Sequence, residues 1–435
     1  MKIITKIILC VGILLSLNAC NDKVVSVDSL FKKKTQNKLN HDIERKIRAC
    51  ELDNVDACAS LGYSFGGGDV RNVSYTKAKK YNAKACKLGN AIACHNLAVL
   101  YSKESPSMIA RDKTREYFKK GCDLGFFDSC TSLGIIYESQ NSGSRDYEKA
   151  NEYYKKACDE DDGRACNLLG VNYYEGKGIE RNINEAASYY KKACGLNFSD
   201  GCSYLGDFYF EGKGKKQDYF AARHYYEKGC VYNDNYSCNK LAIIHFKGLG
   251  VKQNYQKVKA YSEKGCKFGN GHACDLYGFL HEKGLGTFKD YEQAIMYYKL
   301  SCNSLNISFN GNGCTYLGNL YYNGLGVKKD YNQAVKYYKK GISKGHGESA
   351  TNLGILFFLG KGVKKNYIQA KLLFQKGCEL GNAKGCFNAG VLNYDSSYRI
   401  GGEDNETAKY YFDKACELKD SKGCKGAEII KRLGI

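Results

Sequence analysis

Residues 317–340 read Leu317-Gly318-Asn319-Leu320-Tyr321-Tyr322-Asn323-Gly324-Leu325-Gly326-Val327-Lys328-Lys329-Asp330-Tyr331-Asn332-Gln333-Ala334-Val335-Lys336-Tyr337-Tyr338-Lys339-Lys340. Two segments of helical periodicity flank a Gly-x-Gly break. In the second, Ala334, Tyr337 and Tyr338 fall on one apolar stripe. Asp330 stands where an N-cap is expected, as do Asp146, Asp218 and Asp290 in other copies. Lysines gather in the last turn, where they complement the helix dipole. Another copy runs from Asn167-Leu168-Leu169-Gly170 to Gly176-Lys177-Gly178, and Gly-x-Gly recurs at 176/178, 212/214, 248/250, 284/286, 324/326 and 360/362.

The cysteines keep the same register. The first members of local pairs stand at 50, 86, 122, 158, 194, 230, 266 and 302, a step of 36, and then at 378 and 416. The second members are 58, 94, 130, 166, 202, 238, 274, 314, 386 and 424. Four extra residues within Asn303–Gly313 stretch one pair, and Ile342 and Ala350 replace another. Eight residues of continuous helix span about 12 Å, whereas a disulfide needs Cα atoms roughly 4.4–6.8 Å apart. Each pair therefore demands a chain reversal. The spacing predicts bridges Cys50–Cys58, Cys86–Cys94, Cys122–Cys130, Cys158–Cys166, Cys194–Cys202, Cys230–Cys238, Cys266–Cys274, Cys302–Cys314, Cys378–Cys386 and Cys416–Cys424. Each ties the end of helix B to the first turn of the next helix A. A nine-residue closed loop contributes roughly 2.5 kcal/mol in the chain-entropy model. Zinc, which favours clustered Cys-x₂₋₄-Cys spacings, does not suit this ladder.

One proline among 435 residues, with 48 glycines, argues against a string of separately linked domains. Twenty-two cysteines point to an oxidising compartment. Lys2 and Lys6 precede an apolar run from Ile7 to Leu17, so residues 1–19 read as a signal peptide. Leu17-Asn18-Ala19-Cys20 resembles a lipobox. Cys10 leaves with the leader and Cys20 would carry lipid, which leaves an even set for pairing. Residues 20–41, with Lys32, Lys33, Lys34 and Lys38, read as a solvated tether. Formal charge falls from +20 to +18 without Lys2 and Lys6. In an exported chain, that charge favours anionic surfaces or an acidic partner over nucleic acid.

The repeated columns match a known pattern. Leu-Gly-x-x-Tyr-x-x-Gly-x-Gly-Val-x-x-Asp-Tyr-x-x-Ala-x-x-Tyr-Tyr-x-x-Ala-Cys resembles Sel1-like repeats, relatives of tetratricopeptide repeats. The Cys-x₇-Cys ladder resembles the helicobacter cysteine-rich protein family. That resemblance implies an all-α, right-handed α/α superhelical solenoid of about ten 36-residue helix pairs over residues 42–435. Repeats would begin near 56, 92, 128, 164, 200, 236, 272, 312, 348 and 384, with a capping helix at 423–433. It also implies an exported, monomeric protein acting as a slow β-lactamase on a β-lactam or peptidoglycan-like ligand, without a cofactor.

The residues offer that chemistry little support. Serine β-lactamases need Ser-x-x-Lys with Ser-Asp-Asn and Lys-Thr-Gly. Ser-x-x-Lys occurs at Ser29/Lys32, Ser74/Lys77, Ser188/Lys191 and Ser237/Lys240, a chance frequency, and the other two motifs are missing from the sequence. Among the histidines, His245 and His281 share one column, with Tyr173, Tyr209 and Tyr321 filling it elsewhere; groove lining or core edge is the expectation. A solenoid binds on its concave face, which helix A lines. Asn167, Asn172, Asp207, Asn239, Asn319 and Asn352 are the exposed polar candidates there, suited to peptide or glycan hydrogen bonding. A non-enzymatic scaffold for a protein, peptide or cell-wall fragment is thus the competing expectation. If Cys20 carries lipid, the wild-type protein partitions with membranes and a Cys20→Ala variant does not; fractionation that finds both soluble refutes the anchor.

Overall fold

The computed structural model describes residues 41–68, 73–104, 107–139, 145–213, 216–304, 312–394 and 405–432. The expected signal peptide, Cys20 and Ser29 lie outside them. Every regular element among the described residues is helical. They fall into two compact units, one up to Leu133 and one from Gly134. The first contains a helix at residues 41–51, whose start takes in His41 from the expected tether, followed by Val55–Tyr63, Tyr75–Lys87, Ala91–Ser102 and Met108–Asp123. Its core gathers Leu61, Phe65, Ala78 and Ala85 around the Cys50–Cys58 and Cys86–Cys94 bridges.

In the second unit, A and B helices alternate. Gly163–Glu175, Ser199–Glu211, Asn235–Lys247, Gly271–Lys283, Gly313–Asn323, Gly347–Leu359 and Ala383–Tyr394 are A helices. Ile183–Gly195, Tyr219–Val231, Tyr255–Lys267, Tyr291–Asn303, Tyr331–Ser343, Tyr367–Glu379 and Asn405–Glu417 are their B partners, and Ser421–Arg432 follows as the final helix. Each helix packs on its sequence neighbours and more lightly on the second one along, the contact pattern of a solenoid. The A helices start within one residue of the positions that the period predicts.

Local chemistry explains the boundaries. Asp146, Asp290 and Asp330 each accept the backbone N–H three residues on, at 3.0 Å, and Asp218 accepts two. Gly324 ends its helix with φ 74°, where its N–H reaches the Leu320 carbonyl at 2.8 Å. All ten predicted disulfides are present, with Cα separations of 4.4–4.8 Å. Where the bridge is missing, Ala350 is buried and Ile342 packs on the Tyr338 cluster.

In most pairs of the second unit, an aromatic ring of helix B lies on a glycine of helix A twenty residues earlier. Tyr190 lies on Gly170, Tyr226 on Gly206, Tyr298 on Gly278, Tyr338 on Gly318 and Phe374 on Gly354. A Cβ on Gly278 would sit 2.8 Å from the Tyr298 ring. Two repeats carry alanine in place of the glycine: Ala242 faces fully buried Ser262 where others have the ring, whereas buried Ala98 keeps Phe118 twenty residues on. A second aromatic column stacks face to face sixteen residues apart, with Tyr209 over Tyr225 and Tyr321 over Tyr337 at 5.5 Å. The close approach of the Tyr298 ring to Gly278 predicts strong coupling at this pair. Gly278→Ala should cost about 1–3 kcal/mol by overpacking. In a Tyr298→Ser background, it should cost little. A denaturant-unfolding cycle that finds the two changes additive overturns this account.

Candidate functional groove

In the second unit, the A helices Asn235–Lys247, Gly271–Lys283 and Gly313–Asn323 border two adjoining clefts of about 670 and 320 Å³ that share Phe279 and Tyr316. The larger is lined by Tyr236, Asn239, Lys240, Phe246, His272 and Asp275, among others, and the smaller by Glu282, Tyr298, Asn319 and Asn323. Aromatic floors with a few polar groups are the usual composition of binding sites.

Core chemistry decides how these polar groups point. A buried phenol needs an acceptor, and helix A provides it. Tyr226 donates to Asp207 at 2.5 Å, Tyr298 to Glu282 at 2.9 Å and Tyr338 to Asn319 at 2.7 Å. Asp207 also accepts from Tyr236 at 2.8 Å and lies 3.4 Å from the Lys240 ammonium. Burial, reinforced by Asp207, raises the Tyr236 phenol well above its ordinary value, so it stays protonated. Lys240 rests over the Phe210 and Tyr236 rings at 4.9 and 5.0 Å.

Three of the six amide and acid candidates are not exposed. Asn167, Asn172 and Asn239 are buried. Asn172 donates to Asn151, which donates to the Lys177 carbonyl, each at 2.8 Å, so this pair holds the Gly-x-Gly turn. Asn167 and Asn239 belong to a column, one residue past the second cysteine, that faces the next repeat. There Ser203 meets Ser237 at 3.0 Å, Thr315 meets Ser349 at 2.6 Å and Thr351 donates to Asn382 at 2.9 Å. Asp207, Asn319 and Asn352 are half-buried. Asn352 Nδ2 donates to Asn319 Oδ1 at 2.9 Å.

Asp275 is the charged member of that polar column, and periodicity alone did not single it out. One carboxylate oxygen accepts the Asn312 N–H at 2.5 Å; the other has no hydrogen-bond partner. The helix starting at Gly313 receives no side-chain cap from its own N-cap residue, Asn312. Asp275 caps it from the preceding repeat, at the repeat boundary where the sequence carries four extra residues. Burial pushes the carboxyl up to about 7, against the lowering effect of Ser301 and the Asn312 N–H. The coincidence of an acid in an Asn/Ser/Thr column with a local insertion was the available signal.

Among the described residues, the Ser-x-x-Lys pairs do not assemble a nucleophile. Ser74 caps its helix toward the Lys77 N–H, Ser188 and Lys191 are exposed, and buried Ser237 bonds Ser203 while Lys240 turns to Asp207. His245 and His281 are buried against Tyr261 and Tyr297, at 5.7 and 5.8 Å. Burial lowers both imidazoles below their ordinary value, so they are neutral. Among the described residues, no three His, Cys, Asp or Glu converge as a metal-ligand set, and no helix is long and apolar enough to cross a membrane.

These features define a helix-pair solenoid with a groove between successive A helices. The Sel1 repeat model matches ten consecutive segments between residues 55 and 420. The chain belongs to the Sel1-repeat family. It is similar to c5321, a protective antigen of uropathogenic Escherichia coli displaying an SLR fold: 27% identity over 89% of this chain and 82% of that one, TM-score 0.65. A Sel1 repeat protein from Oxalobacter formigenes matches at 23% identity over 57% of this chain and 96% of its own, TM-score 0.51. Helicobacter pylori cysteine rich protein B is 34% identical over 32% of this chain and 99% of its own, TM-score 0.26. No curated protein matches. The ten disulfides indicate an oxidising, exported environment.

Asp275 carries a pH signature. Its carboxyl titrates near 7 when folded and about 3.9 when unfolded. Between those values the fold holds a proton that the unfolded chain releases, so stability falls as pH rises through the window and stays lower above it. The amide introduced by Asp275→Asn cannot titrate, and Asn239 shows that asparagine fits the column. The stability of Asp275→Asn relative to wild type should therefore climb from pH 4 to 7 and then level. A pH-independent difference in denaturant midpoint would contradict this.

Proposed function

We propose that the protein is an exported binding scaffold that holds an extended segment of a partner protein in the groove bordered by helices Asn235–Lys247, Gly271–Lys283 and Gly313–Asn323. The supporting observation is the groove's composition: aromatic walls at Tyr236, Phe246, Phe279 and Tyr316, with amide and charged groups spaced along them. The net positive charge would steer an acidic partner toward it. The β-lactam hydrolysis implied by the family resemblance lacks an activated hydroxyl–base pair among the described residues, so this reading places binding before chemistry.

Oxidised protein should enrich a subset of sequences from a displayed random decapeptide library. Leu276→Trp, which fills the larger cleft, should weaken that binding by about tenfold or more, while Ile368→Ala, at an exposed helix B position, should not. Equal binding by Leu276→Trp would remove the groove from this role. Nitrocefin turnover by oxidised wild type that Leu276→Trp abolishes would replace the scaffold reading with the hydrolase.

A further inference from the structure

The geometry points to Asn319 and Asn352 as a reader of one peptide main-chain amide, an inference that rests on the groove reading above. Two donors converge on Asn319 Oδ1: the Tyr338 hydroxyl at 2.7 Å and Asn352 Nδ2 at 2.9 Å. Asp207, which can only accept, meets the Tyr226 hydroxyl in the same column, and by that parallel the Tyr338 hydroxyl donates and places Asn319 Oδ1 and Asn352 Nδ2 at the inner contact. Asn319 Nδ2 has no hydrogen-bond acceptor among the described residues, and Asn352 Oδ1 has no donor. Both residues are half-buried, and Asn319 lines the smaller cleft. Asn319 thus carries an unpaired donor at the cleft, and Asn352, on the next A helix and one hydrogen bond away, an unpaired acceptor.

A peptide group offers the complementary pair, a carbonyl for Asn319 and an N–H for Asn352. Such recognition reads the main chain and tolerates different side chains, as β-augmentation does at a sheet edge. Beside the pair, Phe279, Tyr316, Leu320 and Leu325 form the apolar part of the cleft, whose remaining lining is Glu282, Lys283, Tyr298 and Asn323. The side chain flanking the recognised amide is therefore apolar. The ligand class is an extended peptide segment whose main chain is read at one amide, with an apolar residue next to it.

The equivalent positions in other repeats supply variants that the fold accepts. Asp207 occupies the Asn319 column and accepts a tyrosine hydroxyl there, so Asn319→Asp keeps the acceptor and removes the donor. Leu168 occupies the Asn352 column, so Asn352→Leu removes the acceptor. Decapeptides enriched by wild-type protein would be resynthesised with terminal caps and scanned by single backbone N-methylation. One position should lose about tenfold in affinity, the effect of a hydrogen bond of about 1.4 kcal/mol. That penalty should vanish in Asn352→Leu, and Asn319→Asp should weaken every peptide by about tenfold regardless of sequence. A flat scan, or a penalty that persists in Asn352→Leu, overturns the inference and leaves the groove reading intact. Competition by an N-acetylglucosamine oligomer but by no peptide would assign the pair to a glycan and overturn it. If wild type enriches no peptide, both readings fall together.

Discussion

The contact on which the rest depends is a ring laid on bare helix backbone. Because Gly206, Gly278 and Gly318 have no Cβ, helix B can bring Tyr226, Tyr298 and Tyr338 against helix A. The ring buries its face, and its hydroxyl emerges on the groove side, where it needs an acceptor. Asp207, Glu282 and Asn319 supply one. At Phe374 and Phe412, which carry no hydroxyl, Ile355 and Val391 follow the glycine and pack into the apolar clusters, but Val171 and Phe279 hold the same place beneath Tyr190 and Tyr298, so the acceptor comes from this column only at some repeats. The polarity of the groove is therefore set partly by what the core must satisfy.

Much of this was legible in the sequence, because a repeat prints its constraints many times. Period, helix starts, side-chain caps and cysteine pairing all follow from columns that recur in most repeats, each serving a reversal or a cap. Exposure was harder to read. Asn167 and Asn239 resemble surface amides when one helix is considered alone, but their column faces the next repeat, where Ser203, Thr315 and Thr351 form hydrogen bonds. Amphipathic periodicity separates apolar from polar faces; it does not separate water from a polar contact between repeats. Asn172 was obscured similarly, through its bond to Asn151.

Asp275 shows how a departure from the period is absorbed. Asn312 makes no side-chain cap of its own, and the neighbouring repeat supplies a carboxylate to the helix start. The substitute lies deep enough that burial raises its affinity for a proton. A helix bordering the groove is thereby secured by a group whose charge changes near neutral pH. The insertion and the acid are best understood as one feature spread over two repeats.

The short reach of the cysteine pairs has a consequence for how the chain matures. In nine of the ten bridges the partners lie eight residues apart, and in the other twelve. A chain threaded N-terminus first into an oxidising compartment presents both thiols of a pair almost together. Each turn can close before the next pair arrives, so local proximity outpaces the many wrong combinations open to twenty cysteines. Oxidation then proceeds vectorially, in step with translocation. A disulfide isomerase would have few errors to correct, and the order of emergence becomes the order of assembly.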